Sequence, residues 1–152
     1  MIIAEVVAKS DDLRQLVNEI NSASWDDANE MGPFDANDLA HYLDHQGTVF
    51  VACHDRVGDR STLLGIASAR LEIKAYDREQ WLYVDEVDVC ADQRQRGAGK
   101  AIMRKLIAIA EDAGCSVVWL GTEPDNHAGN RLYQSLKPTD VAGFIGYTYE
   151  ID

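Results

Sequence analysis

Basic residues are scarce in this sequence: its 152 residues include 14 Lys and Arg against 26 Asp and Glu, which gives a formal charge of -12 at pH 7. Proteins that bind nucleic acid or anionic lipid surfaces need a dense face of Lys and Arg side chains. The overall charge therefore argues against both of these partners. It favours a cationic partner instead, although an acidic surface also serves solubility alone.

Cysteine is scarce as well, with three residues in the chain. Cys53, Cys90 and Cys115 form no CxxC pair and no Cys/His spacing of the kind that holds zinc. The pattern argues against a disulfide scaffold and a zinc site. We expect three reduced thiols and no bound metal.

Long apolar runs are missing too. No stretch approaches the roughly 20 apolar residues of a membrane span, and residues 1–9 lack the basic start and apolar run of a signal peptide. We therefore expect no membrane partner and a cytoplasmic location. The length fits one domain of roughly 100–200 residues, and 46% apolar residues suffice for a core.

Hydrophobic periodicity predicts an alternation of strands and helices. Ser10 is the expected N-cap of the first helix, whose apolar residues recur at offsets 0, 3, 4 and 7 from Leu13. Strands are predicted at about 2–8, 48–53, 62–73, 81–90, 115–121 and 144–151, and further helices at about 37–45, 97–113 and 126–136. This order predicts an α/β protein of the α+β type, in which a mixed sheet carries helices on both faces.

Residues 94–100 read Arg-Gln-Arg-Gly-Ala-Gly-Lys and join an apolar strand to a long amphipathic helix. Glycines at a helix start let a ligand approach the backbone, and the free N–H groups there attract an anion. Five cationic residues fall within twelve positions of this otherwise acidic chain: Arg94, Arg96, Lys100, Arg104 and Lys105. The segment therefore predicts a phosphate or pyrophosphate site, against the alternative of a glycine-eased turn with a solvated basic edge.

Three kinds of phosphate loop can be compared with this segment. A P-loop requires Ser or Thr after its lysine, but Lys100 is followed by alanine; a dinucleotide fingerprint requires a third glycine where Ile102 stands. The pattern [Q/R]xxGxG/A fits Arg94, Gly97 and Gly99. It resembles the acyl-CoA pyrophosphate loop of the GNAT (Gcn5-related) N-acetyltransferase family.

A second segment strengthens this resemblance. Residues 126–133, Asn-His-Ala-Gly-Asn-Arg-Leu-Tyr, are similar to the later NxxAxxLY signature of the family, with Gly129 where alanine is usual. The KLGF sequence that usually follows is replaced by Ser-Leu-Lys-Pro at 135–138. The resemblance implies the GNAT fold over a single acetyltransferase domain at residues 1–152, with a mostly antiparallel sheet and a splayed central strand pair.

The resemblance also implies an activity, which is direct transfer of acetyl from acetyl-CoA to an amine. Tyr133 looks like the general acid toward the CoA sulfur, although an aromatic residue on an amphipathic helix also suits a core. Asn126 looks like a hydrogen-bonding partner of the pantetheine arm. The remaining residues implied to bind the cofactor are Val87 and Val89, through their backbone, and Arg94, Gln95, Arg96, Gly97, Ala98, Gly99 and Lys100.

Acidic residues on the strand before the loop are candidates for the catalytic base. Strand alternation puts Glu86 and Asp88 on one face and Asp85 on the other, with Val87 and Val89. Carboxylates in an apolar strand are costly unless they face a wet cleft or a cationic partner. We predict Glu86 as the base and Asp88 as the second candidate. The alternative is an ion-paired structural role with Arg70 or Lys74.

The acidic charge is concentrated in residues 1–60, which hold 12 acids and 4 bases. The connection between the first two helices is especially acidic and would lie on the acceptor side of the cleft in the family's fold. We therefore predict that a small polycationic amine is bound by the following residues: Asp26, Asp27, Glu30, Asp35 and Glu86.

Residues 83–86, Tyr-Val-Asp-Glu, also resemble, more loosely, a segment of the small aminoglycoside 3-N-acetyltransferases. This likeness implies an aminoglycoside antibiotic as acceptor and a role in antibiotic resistance. Polyamines and the amines of proteins or peptides remain alternative acceptors. A non-catalytic acyl-CoA-binding sensor is an alternative of another class, and a homodimer is left open.

Overall fold

The computed structural model describes residues 1–26 and 33–152 and divides the chain into two units, Met1–Gly121 and Thr122–Asp152. Each unit is described by itself. The first unit contains β1 (Ile2–Val6), α1 (Leu13–Ser22), α2 (Ala36–Asp44), β2 (Thr48–Val57), β3 (Arg60–Ile73), β4 (Gln80–Val89), α3 (Ala98–Asp112) and β5 (Val117–Trp119). The second contains α4 (His127–Ser135).

The five strands form one sheet in the order β1-β2-β3-β4-β5. Neighbouring strands are antiparallel except β4 and β5, which run parallel. The β4–β5 pairing covers Trp81–Tyr83 and Val117–Trp119 and ends there, although β4 continues to Val89. The predicted mixed, mostly antiparallel sheet with a splayed strand pair is therefore confirmed.

Helices cover both faces of the sheet, as predicted. On one face, α1 and α2 bury their apolar residues in a cluster that includes Phe50 and Ile66. On the other face, α3 packs against the strands, and Ile102 lies where a side chain of Gly65 would project. Successive residues of a strand point to opposite faces, which places Gly65 and Ile66 on the α3 face and the α1–α2 face, respectively.

The first helix begins later than predicted. Its N-cap is Asp12 rather than Ser10, and the Asp12 carboxylate accepts a hydrogen bond of 3.1 Å from the amide of Gln15. The preceding residue, Asp11, accepts from the amide of Ala8 at 2.8 Å and so closes a turn just before the helix. The Ser10 prediction is wrong because two consecutive aspartates can cap both the turn and the helix.

The predicted final strand is also wrong. Residues 144–151, all of which the structure describes, form neither strand nor helix. Tyr147 and Tyr149 are 77% and 83% exposed. The apolar and aromatic pattern is typical of a strand, but β-propensity reflects packing on a sheet rather than an intrinsic backbone preference, and this segment joins no ladder of the sheet.

Gly65 provides a test of the packing between the sheet and α3. A Cβ atom at Gly65 would stand 2.7 Å from the carbonyl oxygen of Asp88 and 3.1 Å from Cδ1 of Ile102. Because a backbone oxygen cannot rotate away, we expect Gly65→Ala to lower the free energy of unfolding by about 1–3 kcal/mol. Urea denaturation measures this change. The matched control is Gly143→Ala, where no heavy atom lies within 4 Å; equal losses in both variants would contradict the packing argument.

Candidate active site

A cavity of about 390 Å³ lies on the α1–α2 face of the sheet. Its size is within the range of small-molecule sites. Its lining includes three aromatic and four acidic residues: Phe34, Tyr42 and Phe50, and Asp35, Asp38, Glu86 and Asp88. We call this cavity the acidic pocket. Its aromatic members, and Asp38, were not predicted as site residues, although the spacing of Asp38 and Tyr42 by four residues puts both on one side of a helix.

Tyr42 holds α2 against the sheet. Its hydroxyl lies 3.0 Å from the carbonyl oxygens of both Val49 and Ala69, and donates its proton to this pair. The ring packs edge-on against Phe50, with centroids 6.3 Å apart. Burial raises the pKa of Tyr42, so the hydroxyl stays protonated. Tyr42 therefore forms a fixed wall of the acidic pocket.

Glu86 and Asp88 reach the acidic pocket from β4. They lie opposite Ser68 and Ile66 of β3, and both line the pocket, so the prediction that they share a face is confirmed. A register shift between Ser68 and Ala69 leaves Asp85 with no partner residue in the β3–β4 register. This is a β-bulge, and simple alternation does not hold across it.

The bulge gives Asp85 a different role. Its carboxylate forms a two-pronged ion pair with Arg70, with Nε 3.0 Å from Oδ2 and Nη2 3.1 Å from Oδ1. Lys74 contacts the hydroxyl of Tyr83 and lies over its ring. Arg70 and Lys74, the two cations considered as partners for the acidic residues of β4, therefore contact Asp85 and Tyr83, respectively. The structural ion pair that was the alternative to a catalytic role is thus found at Asp85.

Asp88 is the titratable group best placed for proton transfer at neutral pH. The residue is 8% exposed. Burial raises its pKa to about 6, and the negative charges of Glu86 and Asp26 act in the same direction. Glu86 is exposed. Since a base works best when its pKa is near the operating pH, Asp88 becomes the first candidate for the base and Glu86 the second.

A loop with two left-handed residues follows β4. A turn at Ala91–Gln93 leads to Gln95 and Gly97, whose φ angles of 60° and 88° are left-handed. Gly97 is the N-cap of α3, a helix of 15 residues, and no side chain caps its first amides. The uncapped amides and the helix dipole favour an anion at this point. We call residues 94–100 the phosphate loop.

Two cations of the phosphate loop are paired with carboxylates. Arg94 forms an ion pair with Asp26, and Arg96 forms one with Asp55. Lys100, in the first turn of α3, is exposed. The predicted amine-binding residue Asp26 is therefore placed beside the phosphate loop.

Asp35 is the other predicted amine-binding residue of the α1–α2 connection that the structure describes. Asp35 lines the acidic pocket, and its carboxylate also caps α2 by accepting from the amide of Asn37 at 2.7 Å. Asp27 and Glu30 lie outside the described residues.

The backbone of β4 is paired on one side near its end. The amide of Cys90 donates to the carbonyl of Leu64 on β3 at 2.8 Å. Because backbone groups of a strand alternate in direction, those of Val87 and Val89 point away from β3. They face the side on which the β4–β5 pairing has already ended at Tyr83.

The second unit contains Asn126 and Tyr133. Asn126 is the N-cap of α4: its side chain accepts from the amide of Gly129 at 3.1 Å and donates to Oγ1 of Thr122 at 2.8 Å. A Cβ atom at position 129 would stand 2.5 Å from Nδ2 of Asn126, so an alanine there would require the Asn126 side chain to shift. Tyr133 is half-buried in α4, which ends at Ser135, one residue before the predicted end.

The cysteines and the metal-ligating side chains of the described residues form no second site. Cys53 and Cys90 are buried, and burial raises the pKa of each thiol to about 11, so neither is a ready nucleophile. All three cysteines are free. Among residues 1–26 and 33–152, no cluster of His, Cys, Asp or Glu could hold a metal ion. No helix in the described part of the chain is long and apolar enough to cross a membrane.

The fold is shared with known acetyltransferases. An aminoglycoside acetyltransferase from an uncultured soil metagenomic sample, in complex with sisomicin, superposes with a TM-score of 0.81 at 15% identity, over 99% of this chain and 97% of the other. A ribosomal-protein-alanine N-acetyltransferase from Brucella melitensis gives 0.74 at 19% identity, over 99% of both chains. An acetyltransferase from Trypanosoma brucei gives 0.72 at 20%, over 98% and 100%.

Sequence comparison agrees with this likeness at the level of the family. A search of curated proteins gives no match. The sequence model of the acetyltransferase (GNAT) family matches residues 12–137, which include β4, the phosphate loop and α4. The chain therefore belongs to the GNAT family and is an N-acetyltransferase.

Proposed function

We propose that this enzyme transfers acetyl from acetyl-CoA to a primary amine of a small polycationic acceptor, with aminoglycosides as the first candidate class. The observation that carries the proposal is the position of Asp88. It lies in the acidic pocket, and the strand that bears it runs directly into the phosphate loop. An anionic donor and a cationic acceptor thus have adjacent sites on one strand.

The donor side is provided by the phosphate loop and by β4. The amides of residues 97–100 and the side chains of Arg94, Arg96 and Lys100 suit the pyrophosphate of CoA, as the uncapped helix start allows. The backbone N–H and C=O groups of Val87 and Val89 point away from β3 and suit the pantetheine arm, which can hydrogen-bond to them as a neighbouring strand would. Asn126 is proposed to add a hydrogen bond on the pantetheine side.

The acceptor side supplies charge and a base. Glu86 and Asp38 attract the ammonium form of the amine, and Asp88 accepts one of its protons. The neutral nitrogen then bonds to the thioester carbonyl carbon, and the carbon–sulfur bond breaks. Tyr133 donates its hydroxyl proton to the departing thiolate sulfur, the second proton lost by the nitrogen restores the Tyr133 hydroxyl through solvent, and Asp88 releases its own proton to solvent. The products are an N-acetylated amine and CoA thiol, and direct transfer requires both substrates to be bound together.

The size and the acidic lining of the pocket support a small amine. A protein substrate would need a long groove, whereas this cavity is about 390 Å³ and carries four carboxylates. Aminoglycosides are proposed first because of the sequence likeness at residues 83–86 and the likeness in fold to aminoglycoside acetyltransferases. Polyamines are the second acceptor class, since they share the same cationic chemistry, and peptides are the third.

Acceptor identity can be tested by release of CoA thiol. We expect turnover with kanamycin- or gentamicin-type aminoglycosides, and a KM that rises with salt because charge attraction to the acidic pocket is screened. Spermidine and a peptide with a free N-terminus are the comparison acceptors. Turnover of spermidine alone would remove the aminoglycoside proposal and keep the polyamine one. Turnover of the peptide alone would contradict a small polycationic acceptor.

The role of Asp88 predicts a pH profile. The wild-type kcat/KM for the amine should fall as pH drops through about 6, because protonated Asp88 cannot accept a proton. Asp88→Asn should lower kcat by about 10²–10⁴-fold and abolish this acidic limb. Initial rates between pH 5 and 9 measure both effects.

Asp85→Asn is the matched control for Asp88→Asn. It removes a carboxylate of the same strand that is held by Arg70 rather than by the acidic pocket, and it should retain the acidic limb. Folding is checked separately. The pKa of Asp88 is higher in the folded chain than in the unfolded chain, where it is about 3.9, so its ionisation destabilises the fold as pH rises through 6. Asp88→Asn should therefore resist urea at pH 8 at least as well as wild type.

Tyr133→Phe tests the proposed general acid. Loss of the hydroxyl should lower kcat by about 10²–10³-fold while acetyl-CoA still binds, because the ring remains in α4. CoA-release rates and calorimetric titration with acetyl-CoA measure the two properties. Wild-type turnover in this variant would remove Tyr133 from the reaction, and a wild-type chain that binds acetyl-CoA but turns over no amine would favour the sensor alternative.

A further inference from the structure

Asp26 lies at the junction between the phosphate loop and the acidic pocket. Its carboxylate is ion-paired with Arg94 of the phosphate loop. The chain just before it is fixed to the start of the same turn, because the amide of Ala91 donates to the carbonyl of Ser24 at 2.7 Å. Asp26 is thus tied to the end of β4 by a backbone bond and by a side-chain ion pair.

The charge of Asp26 also reaches the acidic pocket. It is one of the two carboxylates, with Glu86, whose negative charge raises the pKa of Asp88. The elements packed around Asp88 add further acidic groups, since α2 contributes Asp35, Asp38 and the hydroxyl of Tyr42 to the pocket lining, whereas the β3 residues opposite Asp88 and Glu86 are uncharged. No cation lines the described pocket to offset these charges.

Arg94 is the group that connects the two sites. In this structure its guanidinium is ion-paired with Asp26 and offsets part of that negative charge. In the proposed function the same guanidinium binds the pyrophosphate of acetyl-CoA, for which a planar array of N–H donors is well suited. Pyrophosphate and Asp26 therefore compete for Arg94.

We propose that Asp26 is a positioning residue that couples donor binding to acceptor binding: when pyrophosphate takes Arg94, the uncompensated carboxylate of Asp26 acts on the acidic pocket. The inference rests on the proposed function. The released charge makes Asp88 hold its proton more tightly and draws the ammonium of the acceptor toward the pocket. Acceptor affinity is then highest in the donor-bound enzyme, and by linkage the acceptor strengthens donor binding by the same factor.

The size of the coupling is limited by the exposure of the ion pair. The side chains of Arg94 and Asp26 are 43% and 41% exposed, so the pair contributes little in water. Removing Asp26 frees Arg94, and we expect Asp26→Asn to bind acetyl-CoA about two- to fivefold more tightly than wild type. Isothermal titration calorimetry measures this without any acceptor or turnover.

Asp55→Asn is the control, because Asp55 pairs with Arg96 of the same loop; the Asp55 carboxylate also accepts from the N-terminal ammonium at 2.9 Å, and the substitution removes this contact too. Asp55 does not act on the pKa of Asp88. This control should also tighten acetyl-CoA binding but should leave the acidic pocket unaffected. The two variants therefore separate a general effect of freeing a loop cation from the specific effect of Asp26.

Proton uptake is the decisive measurement. Titration with acetyl-CoA at pH 6–7, in two buffers of different ionisation enthalpy, gives the protons taken up on binding. The phosphates of acetyl-CoA contribute the same proton uptake in all variants. The uptake measured with Asp88→Asn is therefore the zero, the value that contains no contribution from Asp88. We expect uptake above this zero in wild type and in Asp55→Asn, and a fall to nearly the Asp88→Asn value in Asp26→Asn. Asp26→Glu, which keeps the charge, should retain the wild-type uptake.

The outcomes distinguish this inference from the proposed function. Equal uptake in wild type and Asp26→Asn, with acetyl-CoA bound by both, would overturn the coupling and leave the acetyltransferase proposal intact. A wild-type chain that binds no acetyl-CoA would overturn both. If Asp26→Asn fails to fold, uptake in Asp26→Glu equal to that of Asp88→Asn would count against the coupling.

Discussion

One-sided pairing of β4 is the constraint on which the site depends. The strand is held by β3 along almost its whole length, but by β5 only at Trp81–Tyr83. A strand fully paired on both sides would use its backbone groups within the sheet. The end of β4 instead keeps its outward groups available at the point where the phosphate loop begins. Rigid support from one side and access from the other are both needed by a site that must hold two substrates.

Charge is distributed so that opposite requirements are met a few residues apart. The acidic pocket gathers carboxylates without an offsetting cation in its described lining, and burial of Asp88 there is costly to stability. Next to it, the cations Arg94 and Arg96 are each paired with an acid. The net charge of -12 therefore conceals a sharp local division between a site for an anion and a site for a cation.

Much of this arrangement could be predicted from the sequence because it follows from local periodicity. Helix spacing identified the buried face of α1, and strand alternation put Glu86 and Asp88 on one face. The Ser10 prediction was wrong because Asp12 competes with Ser10 to cap the same helix. The strand prediction for 144–151 was wrong because strand propensity alone does not pair a segment with a sheet. The aromatic walls of the pocket and the burial of Asp88 depend on distant contacts that no local pattern records.

The bulge at Asp85 has a consequence for the polarity of β4. Before it, Leu82 and Val84 lie opposite Leu71 and Ala69, whose positions alternate with Ile66 and share the face of Gly65 toward α3. Two and four residues beyond Val84, Glu86 and Asp88 occupy the other face. The single extra residue thus moves the even-numbered positions of β4 from the apolar face toward α3 to the face that lines the acidic pocket. Without the bulge, regular alternation through position 85 would place Glu86 and Asp88 on the face of Leu82 and Val84, in the apolar contact with α3, so the polarity of each face of β4 depends on its residue count as much as on its residue types.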